Sequence, residues 1–205
     1  MRSVAPPARL VLAALWLAAA GPALADAEVY GGAGVGYGAQ AIDQPPLILG
    51  PGQVASRDIE GSDLAWQVFA GVRLHRHMAI EAGFVDLGSV KQVVPGFDGL
   101  GQFGQLTESV ATTALEATLV GVWPLSRDFE LFGKLGLVAW DAERGLDGAI
   151  TSEPDGEDLA YGFGVDYRGT GRLRFRVQGM QYDLDGFDES IAVTASVYYA
   201  LPIGR

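Results

Sequence analysis

Strand-like runs of roughly ten residues, apolar at every second position, are joined alternately by short and long segments along this chain. The short joints are His75-Arg76-His77, Leu125-Ser126-Arg127-Asp128 and Gly169-Thr170-Gly171. The long ones are Gly38 to Ser62, Ser89 to Thr107 and Ala142 to Glu157, with a shorter last one at Asp185 to Asp188. Alternation sustained over such lengths specifies strand rather than helix. Tight turns on one rim and long loops on the other predict an all-β fold: an eight-stranded antiparallel up-and-down transmembrane β-barrel.

The eight runs are Glu28 to Tyr37, Asp63 to Leu74, Met78 to Leu87, Glu108 to Trp123, Phe129 to Trp140, Asp158 to Arg168, Arg172 to Tyr182 and Glu189 to Leu201. The face opposite the apolar one is rich in Gly, Ala, Thr and Ser. That suits a crowded interior better than a wet surface, so the apolar faces are read as lipid-facing. Of the 29 glycines, many lie inside runs. A narrow barrel has a use for them, since they leave room for large side chains entering from the opposite wall. The seventh run is the least regular: Gly179 and Gln181 face lipid unless a bulge near Gly179 shifts the register. Aromatic residues gather near run ends. Trp123, Phe129, Tyr167 and Tyr199 fall near the short-turn rim, and Tyr37, Trp66, Phe84 and Tyr161 towards the loop rim. Two such bands are the expected aromatic girdles.

The N-terminus reads as a leader. Arg2 and Arg9 precede the apolar stretch Leu10 to Ala20, and Ala23-Leu24-Ala25 is an A-x-A cleavage pattern. The expected organisation is a signal peptide over 1–25 and one barrel domain over 26–205. No later stretch is long and apolar enough for a transmembrane helix. The chain carries 25 Asp+Glu against 14 Lys+Arg, which argues against a nucleic-acid partner. It has no cysteine, which removes thiol nucleophiles and Cys-based zinc sites.

Three stretches carry a family likeness: FAGVRLHRHMAIEAGFVDLGSV (Phe69 to Val90), LVGVWPLSRDFELFGKLGLVAWDAE (Leu119 to Glu143) and DLAYGFGVDYRGTGRLRFRVQGMQYDLDG (Asp158 to Gly186). Together they resemble the OmpA-like transmembrane domain, the eight-stranded outer-membrane β-barrel family. The resemblance implies residence in the outer membrane of a Gram-negative cell after export through the periplasm. It also implies contact with the outer-membrane assembly machinery, although Leu201 stands where the family commonly has a terminal Phe. No second, peptidoglycan-binding domain is read, so a direct tether to the cell wall is not implied. A closed barrel has no free edges, which predicts a monomer.

The candidate chemistry is a set of inward charges. Glu81, Glu116 and Asp166 supply negative groups; Arg73, Lys134, Arg174 and Arg176 supply positive ones. An unpaired charge in a narrow lumen is costly, so pairing is almost forced. Glu81, Lys134, Asp166 and Arg174 are expected to hold the pairs. A static network would plug the barrel; exchange of partners would open a small water path, an idea that the resemblance raises. The loop rim is acidic, with Asp58, Glu60, Asp63, Asp141, Glu143, Asp147, Glu153, Asp155, Glu157, Asp158, Asp183, Asp185, Asp188 and Glu189. Carboxylates suit divalent cations, which could bridge this rim to lipopolysaccharide phosphates. Asp183 to Glu189 lacks the full spacing of a calcium loop. Gly32 to Gly36 has no helix after it and reads as a strand, not a dinucleotide fingerprint. His75 and His77 share a tight turn with no further ligand, which predicts exposure rather than a metal site.

The leading expectation is therefore an integral outer-membrane barrel with a structural and surface-interaction role, without cofactor or enzymatic activity. The alternatives are a narrow gated pore for ions or small solutes and a lipid-modifying enzyme. The latter lacks a base at the loop rim, because both histidines lie on the turn rim.

Overall fold

The computed structural model describes residues 27–42, 47–50, 53–55, 59–97, 103–146, 149–169 and 171–203. The proposed leader, Asp58, Asp147 and Thr170 lie outside the described residues. Among the described residues eleven strands follow in order: β1 Glu28–Ile42, β2 Leu47–Gly50, β3 Gln53–Ala55, β4 Ile59–His75, β5 Met78–Phe97, β6 Phe103–Pro124, β7 Phe129–Leu146, β8 Ala149–Ser152, β9 Asp155–Arg168, β10 Leu173–Asp183 and β11 Glu189–Pro202. Eight of them pair in the order β6-β5-β4-β1-β11-β10-β9-β7, and β6 pairs with β7 to close the ring. All these pairings are antiparallel. The chain is thus the eight-stranded barrel that the alternation predicts. β8 extends the tip of β7, and β2 with β3 forms a separate hairpin.

Exposure settles which face points in. Phe163, Tyr37 and Leu135 are 74%, 70% and 60% exposed, whereas Glu81, Lys134 and Arg176 are no more than 3% exposed. Apolar side chains cover the outer wall, and the charged ones lie in the lumen.

The strands run further than the alternation suggests. Ser89 to Thr107, read as a loop, is largely ladder: β5 and β6 stay paired from Ser89↔Ala111 to Phe97↔Phe103. Likewise β1 and β4 remain paired from Gly38↔Asp63 to Ile42↔Ile59. Backbone hydrogen bonds hold an antiparallel ladder whatever its side chains, so the pairing persists beyond the point where the two-residue period fades.

One bulge sets the parity of β5. The register shifts between Asp86 and Ser89, with Gly88 at φ 80°. A Cβ at Gly88 would stand 2.7 Å from the Asp63 Cβ, so glycine is required twice over there, for backbone and for space. Asp63 of β4 pins the kink: its Oδ2 accepts the Ser89 amide at 2.9 Å, and its Oδ1 accepts the Leu64 amide at 2.8 Å. Leu87 points inward before the bulge and Val90 points inward after it, so the extra residue keeps an apolar lining. The bulge considered near Gly179 does not form. β10 holds unbroken register with β9 and β11, and Gly179 and Gln181 share the outward parity of Val177.

Inward glycines make room, but for neighbours rather than for the opposite wall. Gly71 is paired with Tyr30, and a Cβ there would fall 2.4 Å from the Tyr30 ring. Gly164 faces Phe132 and Gly32 faces Tyr198 in the same directly paired way. The rings of Tyr30 and Phe132 thus cover the bare position beside them, whereas at Gly32 it is the Tyr198 Cβ that closes in.

The amides of Ser89, then Leu64, hold the Asp63 carboxyl below its ordinary value. A depressed folded value means stability present above the unfolded pKa of about 3.9 and lost as pH falls through the folded value. Asp63→Asn should therefore lower the thermal midpoint at pH 6. The gap to the parent should narrow as pH falls below about 3.9. Melts at pH 6 and at pH 3 check this.

Candidate functional site: the lumenal charge network

The lumen is organised around Arg176 of β10. Its Nε and Nη2 donate to the two oxygens of Asp166 at 2.8 and 3.0 Å, and its Nη1 donates to Glu81 Oε2 at 2.7 Å. Phe132 lies 4.4 Å from the guanidinium carbon, with Phe69 and Tyr198 at 5.0 Å. The cation is thus paired in its plane and faced by π clouds, which compensates its removal from water. Tyr30 donates to Glu81 Oε2 at 3.0 Å, and Tyr198 donates to Asp166 Oδ2 at 2.9 Å. Lys134 of β7 donates to the remaining oxygen of Glu81. Glu116 is held more loosely, 3.9 Å from Lys134 Nζ and 3.3 Å from the Tyr182 hydroxyl that donates to it.

A second group lies nearer the short turns. Arg73 grips Glu130 with two parallel bonds of 3.0 and 2.9 Å, and Arg168 donates to the same carboxylate. Arg174 donates to Glu28 Oε2 at 2.7 Å. The expected grouping of Arg174 with Asp166 is therefore corrected. Arg176 takes Asp166 because the two residues are directly paired across β10 and β9, whereas Arg174 stands opposite Arg168. Glu28, Glu130 and Arg168 complete the network beyond the predicted set, and inward parity is the signal in the sequence that marks them. The inward aromatics Tyr30, Phe69, Phe132 and Tyr198 carry the same parity, hidden by the expectation that the inner face is small and polar.

Towards the loops the lining changes. Gln67 donates to Thr194 at 2.8 Å and to Ser196 at 2.9 Å, and Gln178 donates to Gln67 at 3.0 Å. Beyond this amide layer lies a buried apolar cluster that includes Val85, Leu87, Val138, Trp140, Met180, Tyr182 and Leu184. Phe187 closes it edge-on against Trp140, with centroids 5.6 Å apart. The Trp140 indole N–H and the Asp185 amide both donate to Asp158 Oδ2, tying the last loop down over this cluster.

The sequence matches the outer membrane protein beta-barrel domain family over residues 10–200. The chain belongs to that family. Three solved structures share the fold with TM-scores between 0.52 and 0.55. Neisserial surface protein A is 13% identical, over 84% of this chain and 96% of its own (TM-score 0.55). The N-terminal barrel domain of Pseudomonas aeruginosa OprF is 9% identical, over 86% and 98% (TM-score 0.54). Yersinia pestis Ail, in complex with the heparin analogue sucrose octasulfate, is 10% identical, over 84% and 99% (TM-score 0.52). No curated protein sequence matches the chain.

As a member of this family the protein resides in the outer membrane, crossing it with strands. Among the described residues no helix is long and apolar enough to do so. On the outer wall near the short turns, Trp123, Phe129, Tyr167 and Tyr199 are exposed, with the Phe129 and Tyr167 ring centroids 5.1 Å apart. Towards the loops, Tyr37, Trp66 and Tyr161 are exposed, and Phe84 packs 5.3 Å from Trp66. His75 and His77 lie exposed in the β4–β5 turn. Among the described residues no three His, Cys, Asp or Glu side chains come together as a metal cluster.

Removing one partner of a buried pair strands the other. Lys134→Ala leaves Glu116 without a cation and should lower stability by about 3–5 kcal/mol, while the volume-matched double change Glu116→Gln with Lys134→Met, which keeps Glu81 on Arg176, should cost much less. Urea unfolding of the refolded protein, followed by tryptophan fluorescence, measures both.

Proposed function

We propose that the protein is a non-enzymatic structural and surface-interaction barrel whose lumen is plugged. The observation that carries this reading is the two-tier filling of the lumen. A hydrogen-bonded charge network lies beneath an apolar cluster. Rearranging the ion pairs alone would not open a path, because ions would still meet an apolar barrier. In a planar bilayer the refolded protein should therefore give no steady conductance, and neither should Arg176→Ala. Sustained openings of the parent protein would overturn the plug and favour the narrow-pore reading. The two outward aromatic bands support a girdle role at the membrane interfaces, with the short turns facing the periplasm.

The loop side offers the interaction surface. Among the described residues it carries Asp141, Glu143, Asp155, Glu157, Asp158, Asp183, Asp185, Asp188 and Glu189, with Lys91 and Arg144 as its cations. Such a rim repels a sulfated polyanion of the kind bound by Ail. It suits a cationic partner, or lipopolysaccharide phosphates bridged by divalent cations. Chelation should then release lipopolysaccharide from the purified protein, and restored Ca²⁺ or Mg²⁺ should return it. Retention unaffected by chelator would remove the bridging idea. The histidines on the other rim support the non-enzymatic assignment, since a loop-side hydrolase would need its base there.

A further inference from the structure

At the short-turn end the lumen opens into a polar cavity of about 390 Å³, bordered by Arg73, Arg76, Arg168, Arg174, His75 and Glu28. Its charge is unbalanced. Arg73, Arg168 and Arg174 crowd the single carboxylate of Glu130, Arg174 also binds Glu28, and Arg76 is exposed with no ion pair among the described residues. Four guanidinium groups thus stand against two carboxylates. Arg73 Nε, Arg168 Nε and Arg174 Nη1 are buried without a hydrogen-bond partner. This excess of positive charge sits in a chain whose formal net charge is −11.

Position decides the route of entry. Arg73, Arg168 and Arg174 occupy inward positions on β4, β9 and β10, so the cavity is reached through the aqueous mouth and not from the bilayer. The mouth faces the periplasm in an outer-membrane barrel. Guanidinium forks bind the paired oxygens of carboxylates and phosphates two at a time, and converging forks favour a ligand with several such oxygens. The volume falls within the range of small-molecule sites and leaves room for more than one such group. We propose that this cavity binds an anionic solute bearing phosphate or carboxylate groups, admitted from the periplasm.

The test is a calorimetric titration of inorganic pyrophosphate into the full barrel in phosphatidylcholine nanodiscs. One saturable site is expected. Arg76→Ala should weaken it about tenfold, the loss expected for one charge-assisted contact, and Arg76→Lys should recover part of that. Arg127→Ala removes an exposed arginine of the same rim outside the cavity and should leave the affinity unchanged. Since Arg76 lies in a turn without an ion pair, the variant should keep the fold, which a heat-modifiable band on gels verifies. Absence of saturable binding, or equal weakening by Arg127→Ala, would overturn the site. Repeating the titration in nanodiscs containing phosphatidylglycerol separates the sources. Unchanged affinity supports a soluble ligand, and loss of pyrophosphate binding would assign the cavity to lipid headgroups and overturn entry from the periplasm.

Discussion

A guanidinium ion inside a lumen eight strands wide has almost no water to fall back on, and the rest of the interior is arranged around that fact. Arg176 receives two carboxylates in its plane and aromatic rings around it. Each carboxylate is in turn claimed by a tyrosine hydroxyl, Tyr30 on Glu81 and Tyr198 on Asp166. Lys134 then takes the last free oxygen of Glu81. The order of dependence is physical: an unpaired buried ion costs several kcal/mol, so the network is stable only when nearly complete. That ties six strands together through side chains, in addition to the backbone ladder that closes the wall.

Along its axis the molecule passes through four chemistries. The short-turn mouth is arginine-rich, the middle is a paired charge network, the region beyond is apolar, and the loop rim is acidic. The apolar cluster changes the meaning of the charges beneath it. In a lumen lined only by ions, partner exchange would suffice to admit water. Here Val138, Trp140, Met180 and Leu184 stand above, and Phe187 covers them. The polar face of the inner wall and the dry cluster are produced by the same strands, with the β5 bulge at Gly88 turning Val90 inward where uninterrupted alternation would have pointed it out.

The period of two made the barrel, its strand order and its inside–outside sense legible, because a wall with lipid on one face and packed side chains on the other must alternate. Three things were not. Strand ends were invisible where the ladder outlasts the alternation, as at Ser89 to Phe97, because its backbone hydrogen bonds place no demand on side-chain type. Specific pairing was invisible because it depends on register. Arg174 and Arg176 are equivalent by parity, and only the alignment of β10 on β9 gives Asp166 to Arg176. The inward aromatics were masked by the glycines around them. Parity placed Tyr30 on a bare face, yet that bareness belongs to the neighbouring strand as much as to its own.

That last point has a consequence for how such a chain can vary. Gly71 and Tyr30, and Gly164 and Phe132, are each a mould and its casting, set side by side on paired strands. The shape of the lumen is therefore recorded in couples rather than in single positions. A ring can move to the next strand only if the glycine crosses in the other direction at the same time. The interior drifts by exchange, and the many glycines that look like filler in the sequence hold half of its design.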